Sequence, residues 1–374
     1  MAKKNKFPTD YVKGEYAVGT CMFSFTDVGR KEVFGNADGD RKVTVRMYYP
    51  VKNEDVVGKE KAVIFSKEKI KALVKAYHIP KVDENTNYAD YYENVPIATD
   101  SKFPLIMFSM GFNSYVEANT YLLCALASEG YVIASVGHAY EAVENDYEDG
   151  SFDLFDKKIN KIMLKHGTFK TVRAQNKLLK KQESYEELLK DFEIFQDEYA
   201  PYMKERLPQW EADVLKALEH VKERYADYID LSKGIGMSGH SMGGCLAYYL
   251  CRYNEDFACG INIDGSLFGD YPESTMHKPF CQITCKDNVN AEIRPFLNTD
   301  ADTYHVSFDD MKHMGFTDAK FYIPIKMLSG KLDSDEMFRN LVYTHITFFK
   351  KYLKGEAVEF TGLESEKVHY RKIV

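Results

Sequence analysis

The order of apolar runs along this 374-residue chain predicts an α/β fold. The expected form is a mostly parallel central sheet with helices on both faces and a helical insertion over the sheet's carboxyl edge. Two observations carry that expectation. Several short, nearly continuous apolar runs have the character of strands buried on both faces, and segments of helical periodicity separate them. In addition, the stretch from Gly234 to Leu250 passes from an apolar run through Gly239-His-Ser-Met-Gly243 into a helix-capable segment. That is a strand, a sharp turn and a helix. A side chain at either residue flanking such a turn would strike the neighbouring strand or helix, so glycine is required on both sides of Ser241. A serine held there stands at the carboxyl edge of a sheet, and the next helix points its free N–H groups at the same spot.

Taken in order, residues 16–25 and 43–49 read as antiparallel strands, the second alternating and closed by Pro50, with a turn-rich stretch at 36–40 between them. Ile70, Leu73, Val74 and Tyr77 recur at helical spacing over 66–77, with Ser66 as N-cap, and a polar, tyrosine-rich loop follows at 81–103. Residues 103–109 form the next buried strand. Ser114 and Glu117 have the spacing of a capping box, and Leu122, Leu123 and Leu126 mark a helix that ends at Gly130. A strand over 131–136 completes a βαβ unit, which is parallel and right-handed. Residues 139–208 interrupt the alternation. Phe152, Phe155, Ile159, Ile162 and Met163 follow helical spacing amid Lys157, Lys158, Lys161 and Lys165, and Tyr185, Leu188, Leu189, Phe192 and Phe195 mark a second helix. These pieces are expected to cap the carboxyl edge of one domain spanning residues 1–374. Trp210, Val214, Leu218, Val221 and Tyr225 mark the helix leading back to the serine strand; strands follow at 258–264, 278–285 and 304–308, and a closing helix at 335–353. Beyond residue 355 the periodicity is weak.

Composition narrows the functional classes. A net charge of −8 argues against nucleic acid as a partner. Seven scattered cysteines, most in apolar patterns, suggest a reducing, cytoplasmic setting. The basic amino terminus has no apolar core of a signal peptide, and no run is long enough to cross a membrane. The lysines around 157–165 leave room for peripheral lipid contact, although a lid with a solvated face is the simpler reading. There is no His-Glu-x-x-His, no second pair to match Cys281 and Cys285, no phosphate loop and no dinucleotide fingerprint. The expectation is a cofactor-free and metal-free protein.

Chemistry is expected at Ser241. A serine hydroxyl is a poor nucleophile unless a neighbouring base takes its proton, and the base needs a carboxylate to fix its tautomer. His313, in the loop after the last expected strand, supplies the base. Two carboxylates compete as its partner. Asp264 ends an apolar strand before a turn glycine, whereas Asp287 lies in a polar run, so Asp264 is favoured. The resulting order of serine, aspartate and histidine is that of the α/β-hydrolase fold. The amides of Met242 and of Phe112, after Met110-Gly111, are the expected oxyanion donors. Met110, His138, Phe152 and Phe155 are expected to line the substrate pocket. His240 and His305 are read as packed histidines, with His240 pointing away from the serine.

An ordered set of segments resembles the plasma-type (type II) platelet-activating-factor acetylhydrolases and their bacterial relatives. The set comprises Gly14-Glu-Tyr-Ala-Val-Gly-Thr20, Tyr48-Tyr-Pro50, Phe103-Pro-Leu-Ile-Met-Phe-Ser-Met-Gly111 and Ala127-Ser-Glu-Gly-Tyr-Val-Ile-Ala134 with His138. It continues with Gly239-His-Ser-Met-Gly-Gly244, Phe257-Ala-Cys-Gly-Ile-Asn-Ile-Asp264, and Lys312-His313 followed by Phe316-x-Asp318. The resemblance implies an α/β-hydrolase that cleaves carboxylic esters through an acyl-enzyme. Ser241, Asp264 and His313 would form its triad, with Phe112 and Met242 as oxyanion donors. Short-chain acyl esters or phospholipid-like esters are the implied substrates. A thioesterase or acyltransferase on the same triad, and a non-catalytic lipid-binding homologue, are the alternatives. Two departures stand out: Met110 replaces the family's usual histidine, and residues 140–207 match poorly.

Overall fold

The computed structural model describes residues 14–35, 39–77, 89–165, 168–272, 275–322 and 325–374. In chain order the strands of the main sheet begin with β1 (Ala17–Lys31), β2 (Asp40–Val51), β3 (Tyr92–Glu93), β4 (Phe103–Ser109) and β5 (Val132–His138). A separate hairpin, β6 (Glu144–Asp146) and β7 (Phe152–Leu154), follows. The main sheet resumes with β8 (Ile229–Asp230), β9 (Ile235–His240), β10 (Phe257–Ile263), β11 (Phe280–Cys285), β12 (Thr303–Phe308) and β13 (Val368–Lys372). The helices are α1 (Lys67–Tyr77), α2 (Thr120–Ser128), α3 (Lys157–Lys165), α4 (Thr168–Leu178), α5 (Tyr185–Tyr199), α6 (Pro201–Arg224), α7 (Met242–Tyr253), α8 (Ala319–Tyr322), α9 (Lys326–Ser329) and α10 (Ser334–Phe349).

Strand order across the sheet is β13-β12-β11-β10-β9-β4-β5-β2-β1-β3, with β8 beside β4. From β5 to β12 every pairing is parallel. The antiparallel pairs β1–β2 and β2–β5 flank that run on one side, and β12–β13 flanks it on the other. This is an α/β-hydrolase fold. Every residue of β4, β5, β9 and β11 is buried, as strands covered on both faces must be. The two faces are separate cores. Ile106 and Phe108 of β4 pack with α2 and α10, while Leu105 and Met107, one residue out of phase, pack with α6 and α7.

The expected capping box at Ser114 and Glu117 does not form. Helix α2 starts later, after Asn119, with no side-chain cap. Glu117 is instead a buried counter-ion, its carboxylate accepting from Lys69 Nζ at 3.0 Å and Arg46 Nε at 3.2 Å. Ser66 does cap α1, accepting the Lys69 N–H at 3.0 Å. Phe152 and Phe155 are not helical: Phe152 opens β7, which pairs with β6, and α3 begins only at Lys157. Helix α6 begins at Pro201 and runs through Pro208, so the expected boundary at 208 falls inside a helix. Pro201 stands at the first turn, where its fixed φ and missing N–H are tolerated. Helix α4 and the edge strand β13 are among the elements that carried too little pattern to be foreseen. Helix α4 exposes Phe169 and Val172, and the edge strand β13 buries only Val368. The turn expected at 36–40 and the loop at 81–103 fall partly outside the described residues.

A buried ionic cluster joins β2, β5 and α6. Asp213 of α6 accepts two hydrogen bonds from Arg41, at 2.8 and 2.7 Å, one from Arg30, and one from His138 Nδ1 at 2.8 Å. Glu141 accepts from Arg206 at 2.9 and 2.7 Å, from Trp210 Nε1 at 3.0 Å and from Tyr202 Oη at 3.0 Å. Burial alone would raise the Asp213 carboxyl, but the Arg41 guanidinium outweighs it and holds the group well below the carboxylate range. With the folded value depressed, the stabilisation is complete above the unfolded value of about 3.9 and is lost as pH falls through the folded value. Asp213→Asn leaves Arg41 buried without its main counter-ion. It is therefore expected to lower unfolding stability by about 3–5 kcal/mol at neutral pH, read by urea denaturation. A loss below about 1 kcal/mol, the level of an exposed ion pair, would contradict this account.

Candidate active site

Ser241 links the end of β9 to α7 at φ 57° and ψ −122°, a left-handed conformation that non-glycine residues avoid. The neighbouring backbone enforces it. A Cβ on Gly239 would lie 2.3 Å from the Gly243 carbonyl carbon, and one on Gly243 would lie 2.0 Å from the Ser109 carbonyl oxygen. The turn is pinned by the Ser241 N–H, which donates to the Ile263 carbonyl at 2.9 Å.

His313 opens a short 3₁₀ turn, His313–Phe316, after β12. Its Nε2 lies 2.9 Å from Ser241 Oγ and its Nδ1 lies 2.7 Å from Asp264 Oδ2. Asp264 follows β10 at φ 54° and is buried. Besides the His313 contact, its carboxylate accepts from the Cys285 N–H, the Asn288 amide at 2.8 Å and the Cys285 thiol at 3.4 Å. Burial pushes this carboxyl up, yet the His313 bond and then the Cys285 N–H outweigh it and hold the group below its ordinary range. The following glycine is obligatory: a Cβ on Gly265 would lie 2.1 Å from the Ser241 carbonyl. Asn262 clamps this turn, accepting the Gly265 N–H at 2.9 Å and donating to the Gly265 carbonyl at 2.8 Å. Asp287, the competing acid, is paired with Lys312 at the surface.

Neighbouring residues complete the geometry. Gly111 lies against the serine, where a Cβ would meet Ser241 Cβ at 3.1 Å, so the loop carrying Phe112 borders Ser241. Met242 is the first residue of α7, whose leading N–H groups have no partner within the helix. A nucleophile, a base in hydrogen-bond contact with it, and a buried carboxylate orienting that base are the parts an acyl-transfer site needs.

Other expected positions differ. His138 is wholly buried, stacked on Trp210 with ring centroids 3.7 Å apart. Burial holds its pKa down, so the neutral ring donates from Nδ1 to Asp213 and accepts at Nε2 from Ser109 Oγ, 2.9 Å away. Met110 is likewise buried, packed on Val116 and Ala142. Phe152 is half exposed on the β6–β7 hairpin, while the Phe155 ring meets the edge of Phe112 at 5.5 Å. His240 is more than a packed ring. Its Nε2–H donates to the His313 carbonyl at 3.0 Å, tethering the base to the residue before the serine. Burial, and then His313, push its pKa down to about 3, so it remains neutral. No pattern around residue 240 signals this tether, because its acceptor lies far along the chain.

Comparisons with known proteins bear on the family and the fold. The chain is 25% identical over 272 residues to a platelet-activating factor acetylhydrolase of Cavia porcellus, covering 70% of this chain and 60% of the relative. It is 22% identical over 369 residues to that of Canis lupus familiaris, covering 91% of this chain and 76% of the relative. A solved ferulic acid esterase from Streptomyces cinnamoneus superposes with a TM-score of 0.71 at 20% identity, covering 97% of this chain and 98% of that one. At that identity the likeness shows the fold. The family model for platelet-activating factor acetylhydrolase, isoform II, matches residues 1–367, and the chain therefore belongs to that family.

Proposed function

We propose that the chain is a serine carboxylic-ester hydrolase that works through an acyl-enzyme, on short-chain acyl or phospholipid-like esters. The observation that carries this reading is the hydrogen-bonded series Ser241–His313–Asp264 in a chain of the acetylhydrolase family. In the first step His313 Nε2 takes the Ser241 proton as Oγ attacks the ester carbonyl. The amides of Phe112 and Met242 hold the oxyanion. Asp264 stabilises the imidazolium and keeps Nδ1 protonated, leaving Nε2 as the base. His313 then protonates the departing alcohol. A water molecule, deprotonated by His313, releases the acid and restores the serine. Residues 139–208 serve as a cap over this site within a single domain. Among the described residues no helix is long and apolar enough to cross a membrane. The seven free cysteines support a reducing, cytoplasmic setting, and the lysine-bearing helices α3 and α4 are where peripheral lipid contact would fall.

Two experiments bear on the roles. Ser241→Ala is expected to lower turnover of a nitrophenyl acetate by several orders of magnitude with an unchanged melting curve, and to abolish labelling by a fluorophosphonate. Wild-type turnover in a folded alanine variant would refute the nucleophile. Asp264→Asn should cost about four orders of magnitude by holding His313 in the wrong tautomer, whereas Asp287→Asn should change turnover less than about tenfold. Measured on one activated ester, the reverse ranking would move the acid to Asp287.

A further inference from the structure

Between α3, α4 and the junction of α5 with α6 lies a cavity of about 600 Å³. Its walls are largely apolar, formed by Met163, Val172, Phe195, Tyr199, Met203 and Phe268. No lysine, arginine, aspartate or glutamate is among the described residues that line it. Met163 and Val172 are 40% and 51% exposed, so the wall they form reaches solvent. The volume falls within the roughly 300–1,000 Å³ of small-molecule sites, far more than an acetyl group occupies.

Two walls continue to the groups beside Ser241. The Tyr202 ring, which lines the cavity, meets the edge of Phe112 with centroids 5.9 Å apart, and Phe112 belongs to the loop that borders the serine. On the other side the Phe268 carbonyl accepts the Cys245 thiol at 3.1 Å, in the first turn of α7 behind Ser241. The His313 loop, residues 309–316, contributes nothing to the lining. That asymmetry separates the two halves of an ester. The departing alcohol takes its proton from His313 and must face it. The acyl substituent leaves the reacting carbon in another direction, away from His313.

Resting on the ester-hydrolase reading above, we propose that this cavity is the acyl site, and that it takes an uncharged acyl chain longer than acetyl. Most of the cavity's lining comes from residues 160–203, with Phe268 contributed from beyond α7. Each methylene buried there should raise kcat/KM by about threefold to fourfold until the cavity is full.

Nitrophenyl esters from acetyl to decanoyl, with one leaving group, test the assignment. The rate should climb with acyl length, and Val172→Trp and Met203→Trp should each lower the decanoyl-over-acetyl ratio of kcat/KM by about tenfold or more. Circular dichroism melts establish that each variant is folded, and either variant suffices. A ratio unchanged in both folded variants would overturn the proposal. So would a response confined to acetate esters of lengthening alcohols, which would place the alcohol in the cavity instead. Calorimetric titration of Ser241→Ala with 1-decanol separates the two levels of inference. One equivalent is expected to bind, with affinity reduced at least about tenfold when Val172→Trp is added. No binding, with Ser241 of the parent still labelled by a fluorophosphonate, would remove the cavity and leave the hydrolase. Binding with an unlabelled serine would remove the hydrolase and the acyl assignment with it.

Discussion

A carboxylate taken out of water costs several kcal/mol unless donors meet its charge, and the site is arranged around one that is met. Asp264 accepts from the backbone of β11, from Asn288 and from His313. The donors come from two parts of the chain, the turn that ends β11 and the loop after β12, so the carboxylate fixes their relative positions. The parallel register of β10 on β11, with Ile263 opposite Ile283, brings Cys285 to the carboxyl group. The loop after β12 must then return far enough to present the His313 ring. The strained serine turn closes the arrangement, because Gly265 packs on the Ser241 carbonyl and Asn262 clamps Gly265.

The same requirement recurs under the helical segment. Asp213 and Glu141 lie buried at the carboxyl edge, met by Arg41, Arg206, Trp210 and His138. Glu141 also accepts the Asn113 N–H through its carbonyl at 2.8 Å. The loop that carries Phe112 is thus bonded to a residue whose side chain is held by α6. Attachment of the segment and the shape of the serine's surroundings are one structural problem, met by one set of ion pairs.

The legible parts of the sequence were those with strong periodicity or a tight steric demand. Buried strands such as 103–109 read as apolar runs because water is excluded from both faces. The glycines around Ser241 read because no side chain fits there. The trio of Ser241, Asp264 and His313 could be picked out since each follows a recognisable strand, and the structure places these three in hydrogen-bond contact. What failed to read depended on partners remote in sequence. His138 ends a strand, but its hydrogen bond to Asp213, distant in the chain, carries no local signal. Glu117 looked like a cap because local spacing cannot reveal the Lys69 ammonium that claims it. Helix α4 and β13 bury so little that no pattern was imposed on them.

The backbone N–H at Cys285 has a consequence for mutational drift. A side-chain donor to Asp264 can be lost through a single substitution, as Asn288 could be. The main-chain donor survives every replacement at that position short of proline, as long as the β10–β11 register holds. Cys285 can therefore be exchanged for another residue of similar size without leaving the carboxylate stranded. The orientation of the acid is guarded by the sheet, which many residues maintain together, so substitutions at its immediate neighbours are buffered.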